Sequence, residues 1–177
     1  MVNFELSVLN FIQEYIKTPF LDPIMVGITS LGNAGAIWIV AAILFLCCKK
    51  YRKVGIMLSI GLILSLLIGN LTLKPLIARI RPFEYRKGIE LLISTPTDFS
   101  FPSGHTLASF ICATILMMKE RKVGYGALIL AILIAFSRLY LYVHFPTDVL
   151  ASIVLGAAIG WGSVRISEKF IFKNKSI

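Results

Sequence analysis

Residues 123–148, VGYGALILAILIAFSRLYLYVHFPTD, form an uncharged apolar run as far as Ser137 and then place Arg138, His144 and Asp148 at its end. A helix needs about 20 predominantly apolar residues to cross a bilayer, and residues 123–143, with Arg138 near the far end, are long enough. Ionisable residues in such sequence are costly and mark function by default. Arg138 is a permanent cation whose planar fork of donors suits phosphate. His144 has the chemistry of a nucleophile or base, and Asp148, four residues on, is spaced to hold its second ring nitrogen in one tautomer. Pro146 suits the first position of a new helix. On its own, the segment reads equally as a snorkelling arginine beside a structural histidine.

The surrounding composition favours a membrane protein. Of 177 residues, 57% are hydrophobic and 15% charged, and the mean hydropathy is +0.84. A soluble domain is nearer half apolar and a quarter charged. One domain, residues 1–177, is the natural count. The net charge of +9 falls in short loops between apolar runs, which is how membrane orientation is written rather than nucleic-acid binding. Cys47, Cys48 and Cys112 lie within apolar runs and imply no disulfide framework. The N-terminus, carrying Glu5 and Glu14, has no basic region of the secretory type.

Five spans are expected: 23–48, 54–73, 102–118, 123–143 and 145–164. Residues 3–17 place Phe4, Val8, Phe11, Ile12, Tyr15 and Ile16 on one helical face, so residues 1–21 are expected to hold an amphipathic helix lying in the interface. Gly32-Asn33-Ala34-Gly35 is a candidate break in the first span. Gly61, Ser65 and Gly69, and again Ser152, Gly156 and Gly160, form small-residue stripes suited to close packing within the chain. The loops at 49–53 and 119–122 and the tail from Arg165 hold eleven of the 18 Lys/Arg residues and are expected on the cytoplasmic side. The other side holds Lys17, Lys74, Arg79, Arg81, Arg86, Lys87 and Arg138, gathered where the chemistry is.

Three segments meet on that outer side. KPLIARIRP, residues 74–82, sets Lys74 and Arg81 seven residues apart, nearly two helical turns, so both are expected to project from one side of a helix end. PSGH, residues 102–105, opens a span with free backbone N–H groups that can face an anion, His105 being in the first turn. SRLYLYVHFPTD is the third, and between them they hold both histidines of the chain.

Together the spacings K-x6-R-P, P-S-G-H and S-R-x5-H-x3-D resemble the three-part signature of the type 2 phosphatidic acid phosphatase superfamily, which also includes vanadium-dependent haloperoxidases. All signature positions match, in order, within a core of residues 54–164. The resemblance implies an all-α membrane bundle with a pocket at its outer ends. It implies that His144 is the nucleophile and forms a phosphohistidine, that Asp148 orients it and that His105 protonates the leaving oxygen. Lys74, Arg81 and Arg138, with the Ser103 side chain and the Gly104 N–H, would hold the phosphoryl oxygens. It further implies hydrolysis without a metal or other cofactor, and no carboxylate cluster for magnesium is evident. Such a transfer needs positioning and charge stabilisation, which three cations and a helix N-terminus provide.

The expected substrate is a lipid phosphate, with no nucleic-acid partner. Small members of this family resemble bacterial undecaprenyl diphosphate phosphatases, and Arg79, Arg86 and Lys87 would match the extra charge of a diphosphate. Phosphatidylglycerol phosphate and phosphatidic acid are close alternatives. A transporter would place its charges near the midplane rather than at span ends, and a scaffold would leave two histidines in nucleophile and acid positions unexplained.

Overall fold

The computed structural model describes residues 2–86 and 88–172. Among them every regular element is helical. Helix α1 (Val2–Phe11) runs into a wide turn at Ile12–Ile16. Helices α2 (Leu21–Leu31) and α3 (Ala36–Cys47) flank a 3₁₀ turn at Asn33–Gly35, and α4 (Arg52–Leu64) continues through a π-helical stretch, Ser65–Leu73. Short turns α5 (Lys74–Ile77) and α6 (Pro82–Tyr85) lead to an irregular segment. The long helices α7 (Gly104–Lys119), α8 (Arg121–Tyr140) and α9 (Pro146–Ile166) complete the bundle.

Helix α7 is the axis. It is apolar on nearly every side, as befits a helix surrounded by others, and Leu107, Ile111, Ile115 and Leu116 are all buried. Helices α4, α8 and α9 pack around it. Both small-residue stripes close on it. A Cβ on Gly61 would lie 2.5 Å from the Ile111 side chain, and one on Gly160 would lie 2.7 Å from the Ile111 carbonyl oxygen. Alanine at either position would push a helix off α7.

The outward faces carry exposed Ile43, Leu44, Ile63, Ile129, Leu150 and Val154, which suits a bilayer rather than water as solvent. The runs Lys49–Tyr85, Arg121–Tyr140 and Pro146–Ile171 are long and apolar enough to cross, and α2 with α3 forms a fourth such run bent by 45° at the break. The remaining expected span, 102–118, corresponds to α7, which has 16 residues, about 24 Å at 1.5 Å per residue and so shorter than a hydrocarbon core of about 30 Å.

The N-terminal segment exposes Phe4, Phe11 and Tyr15, part of the apolar face expected from the sequence, whereas Ile12 of that face is buried against the bundle. Its opposite side is docked rather than solvated. Leu9 is buried against Tyr142 and Phe145, and the charged Glu5 is only 2% exposed. The basic segments gather at one end of the bundle. Lys53 lies 5.4 Å over the Phe172 ring, and Lys119 pairs with Glu168. The three signature segments lie at the other end.

Candidate active site

Lys74 and Arg81 converge, but not by helical spacing. The helix stops at Ile77 because Ala78 turns left-handed (φ 48), and the chain runs extended to Arg81 (φ −79, ψ 153), as expected before a proline. The sequence-based expectation of two successive helical turns is therefore corrected. What brings the cations together is Asp98. Its Oδ1 accepts from Arg81 Nη2 at 2.5 Å and its backbone oxygen from Arg81 Nε at 2.8 Å, while Oδ2 pairs with Lys74. Burial alone would raise the Asp98 carboxyl, but Lys74 and Arg81 overcome it and hold the group at about 2.

PSGH forms the start of α7. Ser103 is the N-cap, its Oγ accepting from the Thr106 N–H at 3.4 Å, and its own N–H donates to Ser152 Oγ at 2.9 Å. Its side chain is fully buried and lies behind the cavity, whereas Gly104 lines it. His105 stands with Nε2 3.0 Å from Asn33 Oδ1, in the break between α2 and α3. A side chain at Gly32 would come within 2.7 Å of the His105 ring.

The third segment reverses direction over the five residues between Tyr140 and Pro146. Tyr142 takes a left-handed conformation (φ 60), sparsely populated for a bulky residue. Pro146 then starts α9, with Asp148 at its third position accepting the Phe145 N–H at 2.9 Å. Arg138 donates from Nη1 to Thr29 Oγ1 at 2.6 Å. Its Nε and the Nδ1 of His144 are buried atoms with no hydrogen-bond partner among the described residues. Such unpaired groups are rare and gather at functional sites.

His144 Nε2 lies 3.3 Å from Arg81 Nη1. An arginine only donates, so Nε2 carries the lone pair and the ring proton is on Nδ1, facing Asp148 Oδ2 at 3.7 Å. Burial pushes the His144 imidazole down to about 3, with Arg81 and Arg138 adding to the shift and Asp148 opposing it. The ring is thus neutral at pH 7, the form a nucleophile requires.

Lys74, Arg81, Gly104, His105, Arg138 and His144 all line one cavity of about 900 Å³, and Asp98 lines it with them. Its other walls include Val26, Ile39, Leu62 and Leu66, so a polar end opens onto an apolar one. Asp148 is fully buried behind His144. Three cations and a helix N-terminus facing a neutral imidazole can bind a phosphoryl group and accept it.

Sequence reasoning missed Asp98, Asn33 and Thr29, none of which stands in a periodic pattern. It also misplaced two of the surplus cations. Arg79 turns away from the cavity to bind Glu5 and Asp148. Arg86 donates to Asn10 Oδ1 at 2.8 Å and lines a separate hollow. Lys87 lies outside the described residues. Among the described residues, no three His, Cys, Asp or Glu side chains gather as a metal site.

Residues 54–172 match the PAP2 superfamily. An undecaprenyl-diphosphatase from Sulfolobus acidocaldarius is 35% identical over 155 residues, covering 87% of this chain and 74% of that protein. Phosphatidylglycerophosphatase B of Bacillus subtilis is 32% identical, covering 80% of this chain and 72% of its own. The crystal structure of a transmembrane PAP2-type phosphatidylglycerolphosphate phosphatase from Bacillus subtilis superposes with a TM-score of 0.75 at 27% identity, over 95% of this chain and 86% of that one.

Proposed function

The chain belongs to the PAP2 superfamily as a membrane lipid phosphatase, and from that premise we propose that it hydrolyses undecaprenyl diphosphate at the extracytoplasmic face through a phosphohistidine. The observation that carries the chemistry is the single cavity on which both histidines and three signature cations converge.

In the proposed reaction, Lys74, Arg81 and Arg138 hold the terminal phosphoryl oxygens, with the Gly104 N–H at the start of α7 helping to neutralise them. The Nε2 lone pair of His144 attacks phosphorus in line, and the P–O bond to the lipid phosphate breaks. His105 gives its proton to the departing oxygen. Nδ1–H of the now cationic ring faces Asp148. A water then attacks the phosphohistidine, His105 takes its proton, and inorganic phosphate leaves with His144 neutral again. The apolar wall accommodates the lipid chain next to the wet head.

The substrate reading is supported by the 35% identical relative named as an undecaprenyl-diphosphatase. With Arg79 and Arg86 turned elsewhere, it no longer rests on surplus charge. A phosphatidylglycerophosphate substrate is the second reading, favoured by the name of the Bacillus relative and by the superposed structure. The outward orientation rests on the positive-inside rule applied to the basic end of the bundle.

Side-by-side kcat/KM values for undecaprenyl diphosphate, phosphatidylglycerol phosphate and phosphatidic acid decide between them. A glycerolipid preferred by more than about tenfold, equivalent to about 1.4 kcal/mol, would overturn the carrier-lipid reading and leave the phosphatase. In the same assay, activity is expected to survive EDTA and to be inhibited by vanadate.

A further inference from the structure

Behind the nucleophile lies a string of ionisable groups, buried at Glu5, Asp148 and His144 and half-buried at Arg79, whose first member comes from the N-terminal helix. Asp148 is fully buried, and its two oxygens are divided. Oδ1 accepts from Arg79 Nη1 at 2.5 Å. Oδ2 accepts from Ser100 Oγ at 2.5 Å and from the Phe145 N–H, and it faces His144. Arg79 is itself fixed. Nη2 donates to Glu5 Oε2 at 2.6 Å, Nη1 to Thr147 Oγ1 at 2.7 Å, and the guanidinium lies 4.0 Å over the Phe145 ring. Glu5 Oε1 accepts from both the N–H and the hydroxyl of Thr147.

We propose that Arg79 and Glu5 are positioning residues of the reaction: Arg79 clamps Oδ1 so that Oδ2 of Asp148 is aimed at His144, and Glu5 balances the charge of Arg79. The physical need is specific. A buried carboxylate with one oxygen unpartnered would rotate to satisfy it, and a misplacement of about 1 Å in a reacting array can lower rate about 10²-fold. An arginine without a counter-ion would cancel the charge that Asp148 offers the cationic phosphohistidine. With Glu5 present, the string Glu5, Arg79, Asp148 and the cationic phosphohistidine at 144 alternates in sign. The helix that composition reads as a membrane anchor therefore reaches into the chemistry.

This inference rests on the proposed phosphohistidine reaction, and two readouts separate them. Full-length Glu5→Gln, Arg79→Met and Arg79→Lys variants are compared for kcat and KM on undecaprenyl diphosphate. His144 is followed by titration of ¹⁵N-histidine resonances. Arg81, Arg138, His105 and Asp148 also face that ring and are unchanged in all three variants. Arg79→Met is expected to lower kcat about 10- to 100-fold with KM within about twofold, and to move the His144 titration to higher pH. Glu5→Gln should lower kcat less and move the titration to lower pH, and Arg79→Lys should recover part of the loss.

A rise in KM with kcat unchanged would make Arg79 a substrate-binding cation and overturn the proposal. So would an unmoved kcat and titration in Arg79→Met and Glu5→Gln. Should Arg79→Met fail to fold, the near-isosteric Glu5→Gln decides by the same two readouts. If the wild-type protein releases no phosphate from the lipid, the substrate reading fails, and the titration still decides this one.

Discussion

Nδ1 of His144 lies 3.7 Å from Oδ2 of Asp148, beyond hydrogen-bond range although both groups are buried. The ring is neutral here, so little charge draws the two together. Phosphorylation of Nε2 would make the ring cationic and turn the same pair into a charge-assisted hydrogen bond. An interaction that strengthens along the reaction raises kcat rather than affinity. Asp148→Asn is therefore expected to lower kcat by about 10²- to 10⁴-fold with little change in KM. Steady-state kinetics showing the loss in KM instead would place Asp148 in binding.

The two histidines should separate by leaving group. His144→Ala is expected to remove at least about 10³-fold of turnover on every phosphate ester, together with the acid-labile phosphoprotein trapped by quenching the wild type. His105→Ala should lose about 10²- to 10⁴-fold on the lipid, and far less on an aryl phosphate whose phenolate needs no proton. A phosphoprotein persisting in His144→Ala would point to another nucleophile.

Asp98 makes with Lys74 and Arg81 the contacts a phosphoryl group would make. It therefore competes with substrate for both cations. Asp98→Asn should tighten vanadate inhibition and lower KM by about threefold or more, equivalent to about 0.7 kcal/mol. Inhibition curves moving the other way would mean that Asp98 holds the cations in place for substrate.

Acid should destabilise the fold in two windows. The His144 imidazole is held at about 3 by burial, below its ordinary 6.5. The unfolded chain thus binds a proton that the folded one refuses, and stability falls as pH drops from 6.5 towards 3. Asp98, held at about 2 against an ordinary 3.8, adds stability above that ordinary value that is lost as pH falls through 2. Apparent melting temperatures in detergent should fall between pH 6.5 and 4 in the wild type, and less steeply in His144→Gln. Parallel curves would remove His144 from the first window.

Orientation is open to labelling. In a cysteine-free background, a single cysteine replacing Tyr51 should be protected from an impermeant thiol reagent in intact cells, and one replacing Thr95 should react. Reaction at position 51 from outside would invert the topology and place the cavity at the cytoplasmic face.

Much of this protein was legible in one dimension. Apolar runs bounded by Lys and Arg determine where helices cross, because a bilayer permits few other backbone arrangements. Lys74, His105, Arg138 and His144 share a level because each sits near the end of such a run, whereas Arg81 is brought to them by the break at Ala78 and by Asp98. Proline at 146 and the cap at Ser103 are local chemistry and follow from neighbours.

The rest depended on packing between distant segments. Asn33 meets His105 across 72 residues, and Glu5 meets Arg79 across 74. Glu5 looks like the polar side of an interfacial helix until α1 docks beside Phe145. Arg79 looks like surplus charge for a diphosphate until Ala78 breaks the helix and turns it towards Asp148. Local sequence sets the period of a helix and the residues on each face. Which of those faces is buried, and against which charge, is fixed only when the helices close around α7.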